Sequence, residues 1–432
     1  RPAFLPGFVP RHETTPAAAP PGCDRDRRPV NTAHETAAST IGIGRVAALW
    51  LLVGLPAFTM DAILPAQPAI GAAVGATAVG TQWIITAMLA GYALGQIPFG
   101  LAADRWGRRR VVLAGVGLAF AGGLIATMAD TPEILLAGRG LLGLGAAAAA
   151  IVARAVARDI STPAGLSRLM SGMIAFLTAM TLIAPLLGGL LLGWLGWRAV
   201  LALTAGYTAA ALMLSMLFIR ETLPGRRRQD SPLRQLMGSL RAMLGHRQCL
   251  TGAALVALTH GGYFTFIGQG SSVAIDVYGF PAELYGLLFA LPAGANVTMA
   301  ALNRRWAARY GAPRMLAVAA LILGGAGILL LGLALQETVT FPLLWGSIVF
   351  YMLGQGLLFP NASSLVMIPV PQAAGFAASL LGTLQIASGT LLSALAAYLY
   401  TGTHATLAAF LGAAGLLAFL LHRFGRTEFR ER

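Results

Sequence analysis

Lysine is absent from this chain, cysteine occurs twice, and charge of either sign is scarce. Only 11% of the 432 residues are charged and mean hydropathy is +0.73, whereas ordinary globular chains carry about 25% charged residues. So little charge cannot cover a water-facing surface on a chain of this length, and lipid is the solvent that suits most of its side chains. Cys23 and Cys249 stand far apart, with no C-x-x-C and no His/Cys cluster. That excludes a zinc-ligand spacing and a disulfide framework. Neither G-x-S-x-G nor H-E-x-x-H occurs, so a hydrolase nucleophile elbow and a zinc-protease helix are both missing. The faint oxyanion-like run THGGYF (259–264) has no such companion, and His260 is expected to pack in a helix or line a pocket. All 30 basic residues are arginine, against 16 acids. They fall in short clusters between apolar runs, with no basic face carrying interleaved aromatics, so nucleic acid is not an expected partner.

Long apolar runs are what the chain has in quantity. A spanning helix needs about 20 mostly apolar residues. Twelve such runs lie near 45–67, 80–103, 110–129, 134–157, 167–193 and 198–219, then near 248–272, 283–303, 313–335, 340–368, 372–399 and 403–422. The fold class this predicts is an all-α membrane protein of twelve transmembrane helices. Residues 1–44 are rich in Pro, Ala and Arg and cannot bury a core. They show no apolar segment followed by a cleavage site, so they read as a disordered cytoplasmic tail rather than a secretory signal.

Arginine sets the expected orientation. The linkers after spans 2, 4, 6 and 8 hold Arg105 to Arg110, Arg158 with Arg168, Arg220 to Arg247, and Arg304 to Arg314. The opposite linkers hold Asp130, Glu133, Asp276, Glu283 and Glu337, with Arg198 as the basic exception. Cytoplasmic loops carry the Lys/Arg excess, so both termini are expected to be cytoplasmic, which requires an even number of spans and supports twelve. The longest polar linker follows span 6 and divides the chain into a first bundle (45–219), a cytoplasmic linker (220–247), a second bundle (248–422) and a cytoplasmic tail (423–432). The halves echo each other. DRWGRRRVVL (104–113) aligns with ARYGAPRMLA (308–317), matching Arg105 to Arg309, Trp106 to Tyr310, Gly107 to Gly311 and Arg110 to Arg314. Parallel six-helix repeats related by a pseudo-two-fold axis are one way transporters are built, with the substrate site between the halves at mid-membrane.

The densest charge in the chain, GQIPFGLAADRWGRRRVVLAG (95–115), falls at the turn between spans 2 and 3. Gly100, Asp104, Arg105, Gly107, Arg108 and Arg109 fit the pattern G-x-x-x-D-R-x-G-R-R, which resembles the signature of the major facilitator superfamily. Gly107 permits a tight turn, and Asp104 is placed to cap a helix N-terminus and pair with an arginine. In that family the cluster latches the cytoplasmic side in the outward-open state. The arginines alone also satisfy the positive-inside rule, whereas Asp104 adds nothing to it.

More of the chain is similar to a narrower group. TMDAILPAQPAIGAAVG (59–75), AGRGLLGLGAAAAAIVARAVARD (137–159), APLLGGLLLGWLGWRAV (184–200) and GQGLLFPNASSLVMIPVPQAAGFAASLLGTLQ (354–385) together resemble the bicyclomycin and chloramphenicol resistance (Bcr/CflA) drug:proton antiporters. The span 5 antiporter pattern G-x-x-x-G-P-x-x-G-G keeps Pro185, Gly188 and Gly189, with Met180 and Ala184 in place of its first two glycines. Ala308 replaces the acid of the second-half loop. The resemblance implies efflux of small amphipathic compounds such as drugs across a bacterial inner membrane, driven by the proton gradient without a cofactor. The partners it implies are a small-molecule substrate, protons and the lipid bilayer, and it implies a monomer. Proton-coupled transport of a specific metabolite is the alternative. Spans 7 to 12 lack a clearly embedded acid, which favours efflux.

Charge inside a membrane costs at least about 2.5–3.5 kcal/mol on insertion scales, and each such residue is a functional candidate. Asp61 is the only acid deep in a span, roughly 24 Å beyond Arg45 at helical rise. Arg139 is the only arginine well inside one, roughly 28 Å from Arg158, so the two are expected at similar depth in the outer half. Asp61 suits a proton carrier, because desolvation favours a neutral carboxyl and a cation or water favours a charged one. The other reading is a cap on the break before Pro65. The resemblance implies proton coupling for Asp61 and Arg139. The other reading of Arg139 is a hydrogen-bond anchor to the backbone of span 1. Tyr92, Tyr263, Phe266, Gln269, Asn361 and Gln385 are candidates for the substrate pocket, and each also suits helix packing.

Overall fold

The computed structural model describes residues 42–223, 241, 243–370 and 374–425. The expected N-terminal tail up to residue 41, the linker from 224 to 240 with Ala242, residues Pro371 to Ala373 and the tail from 426 onward lie outside the described residues.

Among the described residues, twelve helices are long and apolar enough to cross a membrane. They are α1 (Ile43–Asp61), α2 (Ala78–Trp106), α3 (Arg108–Thr127), α4 (Pro132–Ile160), α5 (Pro163–Leu195), α6 (Trp197–Phe218), α7 (Arg247–Ser272), α8 (Tyr285–Tyr310), α9 (Ala312–Ala334), α10 (Phe341–Met367), α11 (Ala374–Tyr398) and α12 (His404–Phe424). Local chemistry sets their ends. Thr77 caps α2 by accepting from the Gly80 N–H at 3.0 Å, and Thr162 caps α5 through Gly165. Proline opens α4, α5, α9 and α10, where its missing N–H is not needed. Gly107 (φ +100°) and Gly311 (φ +84°) turn the chain between α2 and α3 and between α8 and α9. Both lie in the left-handed region that favours glycine, at the two positions the internal repeat aligns.

The ends differ from the apolar runs in two instructive places. Span 1 stops at Asp61 rather than running to 67, because Pro65 cannot supply an N–H to continue the helix. The chain makes a turn there and re-enters a short helix, Gln67–Ala73. Span 8 runs on to Tyr310, past Arg304 and Arg305, because helical hydrogen bonding outlasts the apolar run and ends only at Gly311.

Packing repeats with a shift of six helices. In the first half α4 packs on α1, α2 and α3, α1 on α5 and α6, and α3 on α6; in the second α10 packs on α7, α8 and α9, α7 on α11 and α12, and α9 on α12. The halves meet mainly where α2 packs on α11 and α5 on α8, two seams that this shift interchanges. Small residues allow the close approaches. Ala146 to Ala150 in α4 are all buried, as expected where helices associate by backbone proximity without a hydrophobic drive between them. Apolar residues such as Leu190, Ile328 and Leu391 remain exposed on the outside. The α2–α3, α4–α5 and α8–α9 turns, with the start of α1 and the end of α12, lie on one face, called here the basic face. The opposite one is the far face.

Candidate functional site

A cavity of about 740 Å³ lies between the halves, walled by α1, α2, α4 and α5 from the first and by α7 and α11 from the second. One stripe of α2 runs down it at four-residue steps: Met88, Tyr92, Gln96, Gly100 and Asp104. Such spacing keeps side chains on one helical face. The cavity reaches the basic face, where Asp104, Arg154 and Arg158 are exposed.

Asp61 stands at its deep end, as the last residue of α1. The Asp61 carbonyl accepts from Leu64 N–H at 3.2 Å, closing the turn that breaks the helix. Its side chain is 1% exposed, shares the wall with Met60, Thr181 and Tyr263, and carries one oxygen, Oδ1, without a hydrogen-bond partner. A buried polar atom left without a partner is rare and calls for an explanation.

Arg139 lies at the same level but behind the wall. It is fully buried, and its Nη1 donates to the Thr59 carbonyl at 3.0 Å while Nη2 lies 2.8 Å from Met88 Sδ. It therefore ties α4 to α1, two residues before Asp61, and to α2. The ion pairs among the described residues are Arg108–Asp104, Arg108–Asp159 and Arg198–Asp130; Asp61 and Arg139 enter none of them.

The far-face end of the cavity is closed by close packing within the first half and by contacts between the halves. Gly188 of α5 packs so closely on α1 that a Cβ there would sit 1.8 Å from the Ala62 carbonyl oxygen, and Gly189 meets the Glu283 carbonyl in the same way. Gly286 of α8 rests on the backbone of Pro185 and Leu186. Pro185, Gly188 and Gly189 thus join the break beside Asp61 to the second half. Two polar pins add to this seam. Gln67 Nε2 donates to the Thr81 and Gly268 carbonyls and its Oε1 accepts from Ser271. Thr86 and Ser393 hydroxyls lie 3.3 Å apart.

At the basic face Asp104 pairs with Arg108 at 2.6 Å within its own turn. Arg108 also reaches Asp159, and Arg109 donates to the carbonyls of Ile219 and Met216. Asp104 does not cap α3, as its position had suggested. Glu221, just beyond α6, does so by accepting from the N–H groups of Arg108 (2.9 Å) and Arg109 (3.2 Å). Gly107 precedes the helix with no side chain to offer, and a carboxylate from elsewhere satisfies the free N–H groups. Partial burial disfavours the Glu221 charge, but the N–H groups of Leu223, Arg108, Arg109 and Thr222 outweigh it and hold the carboxyl below its ordinary range. Arg105 belongs to the same turn without an ion pair among the described residues.

Tyr92, Tyr263 and Gln385 line the cavity. Phe266, Gln269 and Asn361 do not. Phe266 stacks on Phe289 and meets Trp345 edge-on. Gln269 donates to the Ala396 carbonyl at 2.7 Å, and Asn361 to Asn303 Oδ1 and the Leu357 carbonyl. Gln269 is turned about 120° round the α7 axis from Tyr263, and Phe266, on the adjoining side, is taken up by ring contacts within the second half. His260 is likewise buried there, bonded to the Val256 carbonyl and to Gln355.

Comparison with known proteins follows the same lines. The Major Facilitator Superfamily matches residues 49–394. The bicyclomycin resistance protein homolog of Haemophilus influenzae is 27% identical over 378 residues, covering 87% of this chain and 94% of that protein. The multidrug resistance protein MdtL of Escherichia fergusonii is 27% identical over 365 residues, covering 84% and 91%. Among solved structures, a D-xylose–proton symporter superposes with a TM-score of 0.70 at 15% identity, covering 88% of this chain and 97% of that one. Twelve spans in two halves, a cavity between them and a match over most of the length lead to one conclusion: the chain belongs to the major facilitator superfamily, a family of membrane transporters and not of enzymes.

Proposed function

We propose that this transporter expels small amphipathic compounds in exchange for protons by alternating access, across a bacterial inner membrane with both termini in the cytoplasm. The basic face is then the cytoplasmic one, and the arrangement described is open inward and closed outward. The observation that carries the reading is Asp61, a buried acid with an unpartnered oxygen at the deep end of the cavity and beside the far-face seam. Opening that seam exposes the same carboxyl to the other side. A proton taken up there and released inward couples the gradient to the rocking of the halves, and each charge crossing contributes about 2.3 kcal/mol per 100 mV. Arg139 holds the last turn of α1 in register with α2 and α4, so movement of those two helices is transmitted to Asp61. The mixed wall suits amphipathic molecules: Met60, Met88, Leu89 and Phe264 are apolar, and Tyr92, Gln96 and Gln385 are polar. The drug-resistance names of the relatives support efflux over uptake.

Substrate-induced proton release and uphill efflux in proteoliposomes test this. Asp61→Asn should lose both while downhill exchange survives, because an amide mimics the protonated acid but releases no proton. Retention of uphill efflux in that variant would remove Asp61 from the mechanism.

A further inference from the structure

Arg154 and Arg158 stand out among the charges of the cavity. Both line it from α4, both are exposed, and neither has an ion pair or hydrogen bond among the described residues. The other mouth charges are engaged: Asp104 pairs with Arg108, and Arg108 also reaches Asp159. Arg158 lies near the end of α4, where the positive-inside rule alone accounts for an arginine. Arg154 lies six residues before the helix ends at Ile160, about 9 Å inside at helical rise. That is deeper than topology needs, and a guanidinium there has to be answered by something.

The two arginines are four residues apart on one face, so their Cα atoms are about 6 Å apart along the axis. Two forks at that spacing match the oxygens of one carboxylate, sulfonate or phosphonate. The neighbouring wall, on α2, offers Gln96 and Gly100, which are neutral and leave room for a head group, and ends in Asp104, which is paired with Arg108. Beyond lie the apolar residues of the deep cavity. A cleft with one excess sign and low-dielectric walls concentrates ligands of the opposite sign.

We propose that Arg154 and Arg158 form an oxyanion subsite at the cavity mouth, selecting amphipathic anions over lipophilic cations; this rests on the transport reading above. The head group is held at the mouth and the apolar body points toward Asp61. Arg139 marks the depth of Asp61, and Arg154 follows it by fifteen residues, about 22 Å along α4. The charge that selects the ligand is thus separate from the acid that carries the proton.

The test is direct binding to purified protein in phosphatidylcholine nanodiscs, by calorimetry, with three probes that share one apolar body: 2-naphthalenesulfonate, 2-naphthol and (2-naphthylmethyl)trimethylammonium. The wild type should bind the sulfonate at least about tenfold more tightly than the ammonium probe, with the preference shrinking as salt rises. Arg154→Gln with Arg158→Gln should erase the preference while leaving naphthol binding unchanged, and the corresponding double lysine variant should keep most of it. Unchanged naphthol binding shows that the glutamine variant is folded. Equal or better binding of the ammonium probe to the wild type would overturn the proposal, as would a preference that survives both glutamines. Loss of sulfonate binding when phosphatidylglycerol replaces part of the lipid would assign the arginines to lipid head groups, and that too overturns it. Asp61→Asn should keep the preference intact. A preference that persists without proton-driven movement of any probe leaves the subsite standing and defeats the transport reading; proton-driven movement of naphthol without any charge preference does the reverse.

Discussion

The two halves share a packing scheme and differ in chemistry. The main helix contacts in the first half have their counterparts six helices later, yet among the described residues every charged side chain lining the cavity comes from the first: Asp61, Asp104, Arg108, Arg154 and Arg158. The second half contributes Tyr263, Phe264, Gly382, Thr383, Gln385 and Ile386, none of them charged. Its own polar residues are spent on internal ties, such as His260 to Gln355, Gln355 to Asn296 and Asn361 to Asn303. A repeated scaffold thus places the charge of the cavity on one side and a neutral wall on the other. Removing an acid from α1 and removing a titratable group from α7 should therefore have opposite outcomes. Asp61→Asn should abolish uphill efflux, while His260→Asn should retain proton coupling, with at most a loss of stability from its broken hydrogen bonds. Proton release measured on both variants decides it, and a coupling defect in the His260 variant would break the asymmetry.

Close packing within the first half, beside the seam, gives the next largest effect. Gly188→Ala would drive a Cβ into the Ala62 carbonyl, so α5 and α1 must part beside Asp61. Overpacking of this kind costs about 1–3 kcal/mol. Transport should fall by about tenfold, since a tenfold change is worth about 1.4 kcal/mol. Gly206→Ala on α6 is the control, because nothing lies within 4 Å of its added Cβ. Equal behaviour of the two variants in a dye-efflux assay would show that close packing at Gly188 is not needed for closure.

Asp104→Asn should act more weakly. Its partner Arg108 lies in the same turn, and the Asp104 side chain is 56% exposed. Exposed pairs contribute about 0–1 kcal/mol. Thermal stability should barely move, and transport should slow by no more than about fivefold, through the balance between the two open states. A wild-type rate in Asp104→Asn would leave the arginines of this turn with a topological role alone.

Features set by local rules were legible in the sequence. Twelve apolar runs of spanning length and two aligned turn glycines each depend on a few neighbouring residues. That Asp61 and Arg139 lie at a similar level followed from helical rise, as the Arg139–Thr59 bond shows. An anchor from Arg139 to the backbone of span 1 was one of the two readings its sequence allowed, and the structure shows it at Thr59; which carbonyl it takes was not legible, because every residue carries one. The rotation of α7 was illegible for another reason. Residues from Thr259 to Ser272 are buried nearly all round, so no apolar stripe marks which side faces the cavity. Tyr263 faces it, and Phe266 and Gln269 do not. Gln67 and Glu221 went unnoticed because their partners lie far away in sequence, Gly268 and Ser271 for one and Arg108 and Arg109 for the other.

Glu221 offers the smallest effect and the most specific one. It caps α3 in place of a residue at Gly107, and the second-half turn at Gly311 aligns with a loop that has lost its acid. Glu221→Gln should cost well under the roughly 1 kcal/mol of a typical cap, because the site is exposed and screened. The sign of its pH dependence is fixed. The folded carboxyl sits below its ordinary value of 4.5, so its contribution is full above that pH. It is lost as pH falls through the folded value, where the carboxylate is protonated in both states. The melting temperature of Glu221→Gln should therefore lie slightly below wild type at neutral pH, and the two curves should converge below pH about 4.5. Wild type and variant share every other titrating group, so the difference between them isolates this one. A gap that persists unchanged to low pH would mean that Glu221 acts through packing, and that the charge at the start of α3 is not what holds the turn.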